Sequence, residues 1–153
     1  MITSRISRKD AEENPYLIWN EFVHLVGLRD YAELSIEQRP AHLVYWYDNE
    51  VLNGGHLQYF ENKKCEHLEE TIIALGQLGA LSYQEILRKA STLFLSRPRK
   101  RIDTIEEYVE TAREEEFSEY DKRFYRLYKD SPKLADYLER HLKEHQANFV
   151  TIV

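Results

Sequence analysis

Ser82-Tyr-Gln-Glu-Ile-Leu-Arg-Lys-Ala-Ser-Thr-Leu-Phe94 is the stretch on which the fold class turns. It opens with Ser-x-x-Glu, the capping-box form in which a hydroxyl and a carboxylate satisfy the first free backbone N–H groups of a helix. Behind that start Tyr83, Ile86, Leu87, Ala90, Leu93 and Phe94 fall at i, i+3, i+4, i+7, i+10 and i+11. That period puts all six on one face of a helix.

The same period recurs on both sides of this segment. Upstream, Asn14-Pro15 reads as a cap with proline at the first helical position, Ile18, Phe22, Leu25 and Val26 as the stripe, and Gly27 as the stop. Ser35-Ile-Glu-Gln38 has capping-box form for a second helix running to about Leu52, with Pro40 as the alternative start. Asn53-Gly54-Gly55 ends it. A short piece follows around Leu57–Glu61, then a helix near Cys65–Gln77 with Leu68, Ile72, Leu75 and Leu78 inward.

Downstream, Arg97-Pro-Arg-Lys-Arg101 is a basic loop, after which Ile105, Tyr108, Val109 and Ala112 resume the period. Continuing that helix would carry Glu116 onto its apolar face, so a break is expected near Glu114–Phe117. Phe117, Tyr120, Phe124, Leu127 and Tyr128 form a fresh stripe. Asp130-Ser131-Pro132 caps a last helix with Leu134, Tyr137, Leu138, His141, Leu142 and His145 inward. For Phe149–Val153 three outcomes stay open: fraying, finishing the helix, or pairing as a short strand. The expectation is an all-α fold, a single compact multi-helix domain of roughly seven helices over residues 1–153, with 1–13 flexible.

Composition excludes more than it suggests. At 153 residues the chain is long enough to bury a core without staples. Hydrophobic residues at 42% and charged residues at 31% fit neither a disordered tail nor a membrane protein. Asp and Glu outnumber Lys and Arg by 27 to 21, a net −6 that lacks the footprint for nucleic acid or anionic lipid. Cys65 stands alone, so neither an internal disulfide nor a Cys-rich zinc site is open to it. No apolar run follows the basic start, and none approaches the ~18 residues of a membrane span. The cytoplasm is the expected location.

Three constellations bear on chemistry. His141 and His145 lie four apart on one helical face, a spacing that can present two metal ligands, yet both continue an apolar stripe and read first as structural. Glu50 and His56 lie close enough to act as acid and base, but no nucleophile or phosphate-loop motif accompanies them. No metal or cofactor is expected. The third is a charge run. Between Asp103 and Asp121 nine acidic residues face Arg113 alone. Glu107, Glu110 and Glu114 stack along one side at ~5–6 Å intervals, with Glu115 and Glu119 on adjoining surface. DNA repeats its phosphate charge on a similar scale. Arg97–Arg101 can neutralise the run within the molecule or in a partner copy, so a homodimer is open.

One stretch is too particular for periodicity to explain: Glu50-Val-Leu-Asn-Gly-Gly-His-Leu-Gln-Tyr-Phe-Glu-Asn62. Asn53 and Gly54 suit the left-handed conformation that ends a helix, and Gly55 allows close backbone approach. Glu50 falls on an apolar stripe, where a lone carboxylate is costly. Backbone donors of the turn, or Gln58 and Asn62, would satisfy it as a polar clasp between two helices. Tyr59 and Phe60 would anchor the short helix in the core. This pattern resembles the signature of a bacterial domain-of-unknown-function family typified by a DNA-mimic protein. The likeness spans about Ser35–Phe149 and is sharp only over Glu50–Asn62. Members usually carry phenylalanine where His56 stands.

The resemblance implies a non-catalytic helical interaction module. Its sharpest form is an acidic DNA mimic that binds a basic DNA-binding protein; the alternative is a bacterial toxin-immunity protein. A small metal-dependent or acid/base enzyme, built on Glu50 and His56 or on His141 and His145, is the lesser one.

Overall fold

The computed structural model describes residues Met1–Val153. In chain order its elements are β1 (Ser4–Ile6), α1 (Arg8–Glu13), α2 (Tyr16–Leu28), α3 (Arg39–Lys63), α4 (Leu68–Gln77), α5 (Leu81–Leu95), α6 (Ile105–Arg113), α7 (Ser118–Asp130), α8 (Leu134–Glu144) and β2 (Val150–Ile152). Single 3-10 turns lie at Tyr31–Glu33 and Gln146–Asn148. The architecture is all-α, with eight helices where the periodicity suggests seven. The added one is α1, six residues with no buried side chain, held at its start by the Ser7 hydroxyl accepting from the Asp10 N–H.

The carboxyl terminus takes the strand option. β1 and β2 pair in parallel, with Ser4 opposite Val150 and Ile6 opposite Ile152. Gln38 joins both ends of the chain to the body. It is fully buried, and its Nε2 donates to the carbonyls of Ile2 at 2.6 Å and Asn148 at 2.7 Å. Its Oε1 accepts from the Ser35 N–H at 3.0 Å, so the capping-box letters close a turn ahead of α3. The helix itself begins at Arg39, with Pro40 in the first turn, where its missing N–H costs nothing.

Several helix ends sit elsewhere than their sequence signals suggest. α5 begins at Leu81 with Ala80 as its cap, so Ser82 lies inside the first turn and caps nothing. Asn14 closes α1, and Pro15 is the cap of α2 rather than its first residue. Gly27 does not stop α2, which runs on to Leu28; a Cβ at Gly27 would lie 3.0 Å from the Tyr45 ring of α3. Close helix packing explains this glycine. α7 extends through Asp130, and α8 starts after Lys133, whose N–H is taken by the Asp136 carboxylate. Of the residues expected inward on α8, Leu134, Leu138 and Leu142 are buried, while His145 is exposed.

α3 is the axis of the molecule, packed against α2, α4, α7 and α8. Its buried aromatics interlock with those of the helices around it. Tyr47 meets Phe124 edge-on at 5.7 Å, Phe124 meets Tyr83 at 5.2 Å, and Phe60 stacks on Phe94 at 4.4 Å. Each such ring removes a large apolar area from water and adds a geometric preference of its own. No helix is long and apolar enough to cross a membrane.

Candidate functional site

α3 is broken at its paired glycines. Gly54 (φ −157°, ψ 17°) and Gly55 (φ 77°, ψ −175°) are non-helical, and the chain resumes its helix at His56. The left-handed residue is therefore Gly55, not Asn53 or Gly54. Two constraints converge there: the positive φ, and the side chain of Asp121, whose Oδ2 would lie 2.6 Å from an added Cβ. Across the kink, the Glu50 carboxylate accepts from Gln58 Nε2 at 3.0 Å and from Asn62 Nδ2 at 2.8 Å. Glu50 thus ties the two arms of α3 together on their outer side. Tyr59 and Phe60 are buried in the core, whereas Asn53 and Gly54 face solvent.

His56 occupies the inner side of the kink and is fully buried. Asp121 of α7 reaches over the side-chain-free Gly55. Its Oδ1 accepts both the His56 backbone N–H at 2.8 Å and the ring Nδ1–H at 2.7 Å. With Nδ1 donating, Nε2 is left to accept the Tyr47 hydroxyl proton at 2.9 Å. An Asp–His–Tyr chain therefore links α7 to both arms of α3. Burial raises the Tyr47 hydroxyl well above the ordinary phenol range, and Tyr47 has no solvent-facing surface. Glu50 and His56, paired in sequence as an acid and a base, serve separate networks.

Sequence reasoning missed Asp121 and Tyr47 as partners of His56. Asp121 is counted there only within the acidic run. The available signal was His56 itself, because an imidazole needs hydrogen-bond partners for both ring nitrogens when buried.

The acidic segment is organised by its ends. α6 starts at Thr104, whose hydroxyl accepts the Glu107 N–H at 3.1 Å, and it buries no residue at all. The break falls where expected. α6 stops at Arg113, Glu115 takes a left-handed φ of 53°, and α7 begins at Ser118. Glu116 secures this hinge. It receives two bonds of 2.6 Å from Arg99 and one of 3.0 Å from Arg97. The Arg99 guanidinium also lies over the rings of Phe94, at 4.5 Å, and Phe117, at 5.3 Å. Hydrogen bonding to Arg99 holds the Glu116 carboxyl below the usual carboxylate range. Arg97 and Arg99 of the basic loop are thus engaged at the hinge, whereas Arg101 pairs with Asp103 on the surface and Lys100 stays exposed.

Glu107, Glu110, Glu114, Glu115 and Glu119 are all exposed. Glu114 lies 3.6 Å from Arg97, and Glu119 pairs with Arg123 on its own helix. Glu107 accepts from the Thr104 hydroxyl at 3.2 Å. Glu110 has no cationic partner. Elsewhere, the His141 and His145 rings are 4.7 Å apart, and no three His, Cys, Asp or Glu side chains gather as a metal-binding group.

A cleft of about 190 Å³ separates the kink from the acidic hinge. Gly54 and Leu57 of α3 form one wall, Tyr108, Thr111 and Ala112 of α6 the other, and Glu115, Glu116 and Phe117 of the hinge with Ser118 and Asp121 of α7 complete it. The motif and the charge run, far apart in sequence, meet here. A larger cavity of about 590 Å³ lies on the other side of α3, where Tyr31 stacks on His67 at 3.7 Å and Lys63 covers Trp46 at 4.2 Å.

The model of the family described as DMP19-like protein matches residues 32–141, most of the chain. The protein belongs to the DMP19-like family. No curated protein and no solved structure matches it. The DMP19-like region takes in the kinked α3, both networks around His56 and Glu50, and all of α6 and α7. β1, α1, α2 and β2 lie outside it.

Proposed function

We propose that this DMP19-like protein is a non-catalytic interaction module, an acidic DNA mimic that offers α6 to a basic DNA-binding protein. DMP19 is a DNA-mimic protein family. The observation that carries the reading is the state of α6. Its carboxylates project into solvent from a helix that buries no residue fully and touches the core through Tyr108, while Arg97 and Arg99 of the nearby basic loop are engaged at the hinge. Each exposed charge is worth only ~0–1 kcal/mol in a pair. Their use lies in a summed field that steers and orients a basic partner, and such a field weakens as salt rises.

Affinity purification from the native host, at low and high salt, identifies the partner. Glu107→Lys, Glu110→Lys and Glu114→Lys together should leave the circular-dichroism spectrum and melting unchanged yet abolish salt-sensitive capture. Capture equal to that of the parent would sink the mimic reading.

A further inference from the structure

The cleft between the α3 kink and α6 has a floor that the summed field does not require. Asp121 Oδ1 is saturated by two donors from His56, whereas Oδ2 accepts no hydrogen bond within the protein. The side chain is about a quarter exposed and lines the cleft. Its position is fixed from below by the buried His56–Tyr47 chain, and it packs closely over Gly55, where an added Cβ would lie 2.6 Å from Oδ2. A carboxylate with one oxygen locked and the other open is prepared to accept a charged donor without rearranging.

The opposite wall supplies the aromatic side chain of Tyr108, half-buried, and the hydroxyl of Thr111, while Ser118 lines the cleft from the Asp121 side. Carboxylate plus aromatic ring is a combination suited to a planar guanidinium, which bonds the one and stacks on the other. The protein already uses it next door, where Arg99 binds Glu116 and covers Phe94 and Phe117.

We propose that this cleft is an anchor pocket for a single arginine side chain of the protein partner, bound to Asp121 Oδ2 against Tyr108. It rests on the reading of the protein as an interaction module and adds what a diffuse acidic field lacks, a fixed point of register. A summed field selects charge; a cleft of this size selects one side chain.

The test uses the full chain labelled with nitrogen-15 and two small probes, Nα-acetyl-arginine amide and its neutral isostere Nα-acetyl-citrulline amide. The arginine probe shifts the amide resonances of Gly54, Gly55, His56 and Ser118 saturably, and the citrulline probe does not. Asp121→Asn keeps an oxygen for His56 but removes the charge, and weakens the arginine probe about tenfold or more. Ala112→Phe, at an exposed position on the rim, plugs the cleft and removes the saturable shifts with the fold intact. Absence of saturable shifts in the parent, equal shifts with citrulline, or full binding in Ala112→Phe overturns the proposal. The triple lysine reversal on α6 separates the two readings. It loses partner capture if the mimic reading holds, and it retains the local arginine site whether or not that reading holds.

Discussion

α3 and α6 are both amphipathic by sequence, and the molecule treats them in opposite ways. Eleven residues of α3 are buried, and none of α6 is. Around α3 most polar groups near the core are matched, Glu50 by two amides, His56 by an aspartate and a tyrosine, the Val51 carbonyl by the Tyr125 hydroxyl, and Asp48 is the exception. α6 is held by a threonine cap at one end and by the Arg99–Glu116 clamp beyond the other, and Ile105 and Val109 remain exposed along its apolar stripe. A hydrophobic period announces a helix, but whether that face is covered depends on what packs over it. One helix builds the molecule. The other is displayed by it.

Four perturbations break or sharpen this contrast. The largest effect belongs to Phe60→Ala, which empties a site bounded by Phe94, Phe117 and Tyr59. Urea denaturation should show a loss of about 3–5 kcal/mol.

Next comes Asp48 on α3, buried with its Oδ1 unpartnered. Burial pushes its carboxyl from an ordinary 3.8 up to about 6. The folded state therefore favours the protonated acid. That contribution is complete below the ordinary value and is lost as pH rises through about 6. Between pH 3 and pH 8 the stability difference should move toward Asp48→Asn by about 3 kcal/mol, since each tenfold in proton affinity is worth about 1.4 kcal/mol. Equal pH profiles for variant and parent would show that Asp48 finds a partner.

Arg99→Ala removes the clamp and should cost about 1–3 kcal/mol, much of it from leaving Glu116 with the single bond from Arg97. Hydrogen exchange gives the sharper reading: α6 amides should lose protection while those of α3 keep theirs. The clamp also has a pH signature. Because Glu116 is held below the usual carboxylate range, its contribution is present above that range and fades as pH falls through the lowered value. The smallest effect is Val109→Ala on the exposed face of α6, within about 0.5 kcal/mol. A loss near that of Phe60→Ala would mean that α6 is packed in solution.

Much of the fold was legible from letters alone, because period and helix breaking are local properties. The stripe of Tyr83–Phe94 lies inward as read, and Glu116 breaks the helix where its charge would have met the apolar face. Helix starts were less legible. Ser82, Asn14 and Asp130 have the right chemistry to cap, but a cap forms only where the chain actually turns, and each turn falls elsewhere. In the candidate site, Glu50 with Gln58 and Asn62 was within reach because all three share one short stretch. Asp121 was not, since it lies 65 residues from His56.

The sequence by itself determined the helical class, the broken α3, the hinge before Phe117 and the acidic run. Each follows from spacing, turn residues or charge within a few turns of chain. Only the tertiary structure decided that Gln38 would hold both termini, that Gly55 rather than Asn53 would take the left-handed turn, and that Asp121 would sit over it. It also decided that α6 would stay uncovered. These outcomes depend on which surfaces meet when the helices pack, and packing selects among partners that local pattern leaves equivalent.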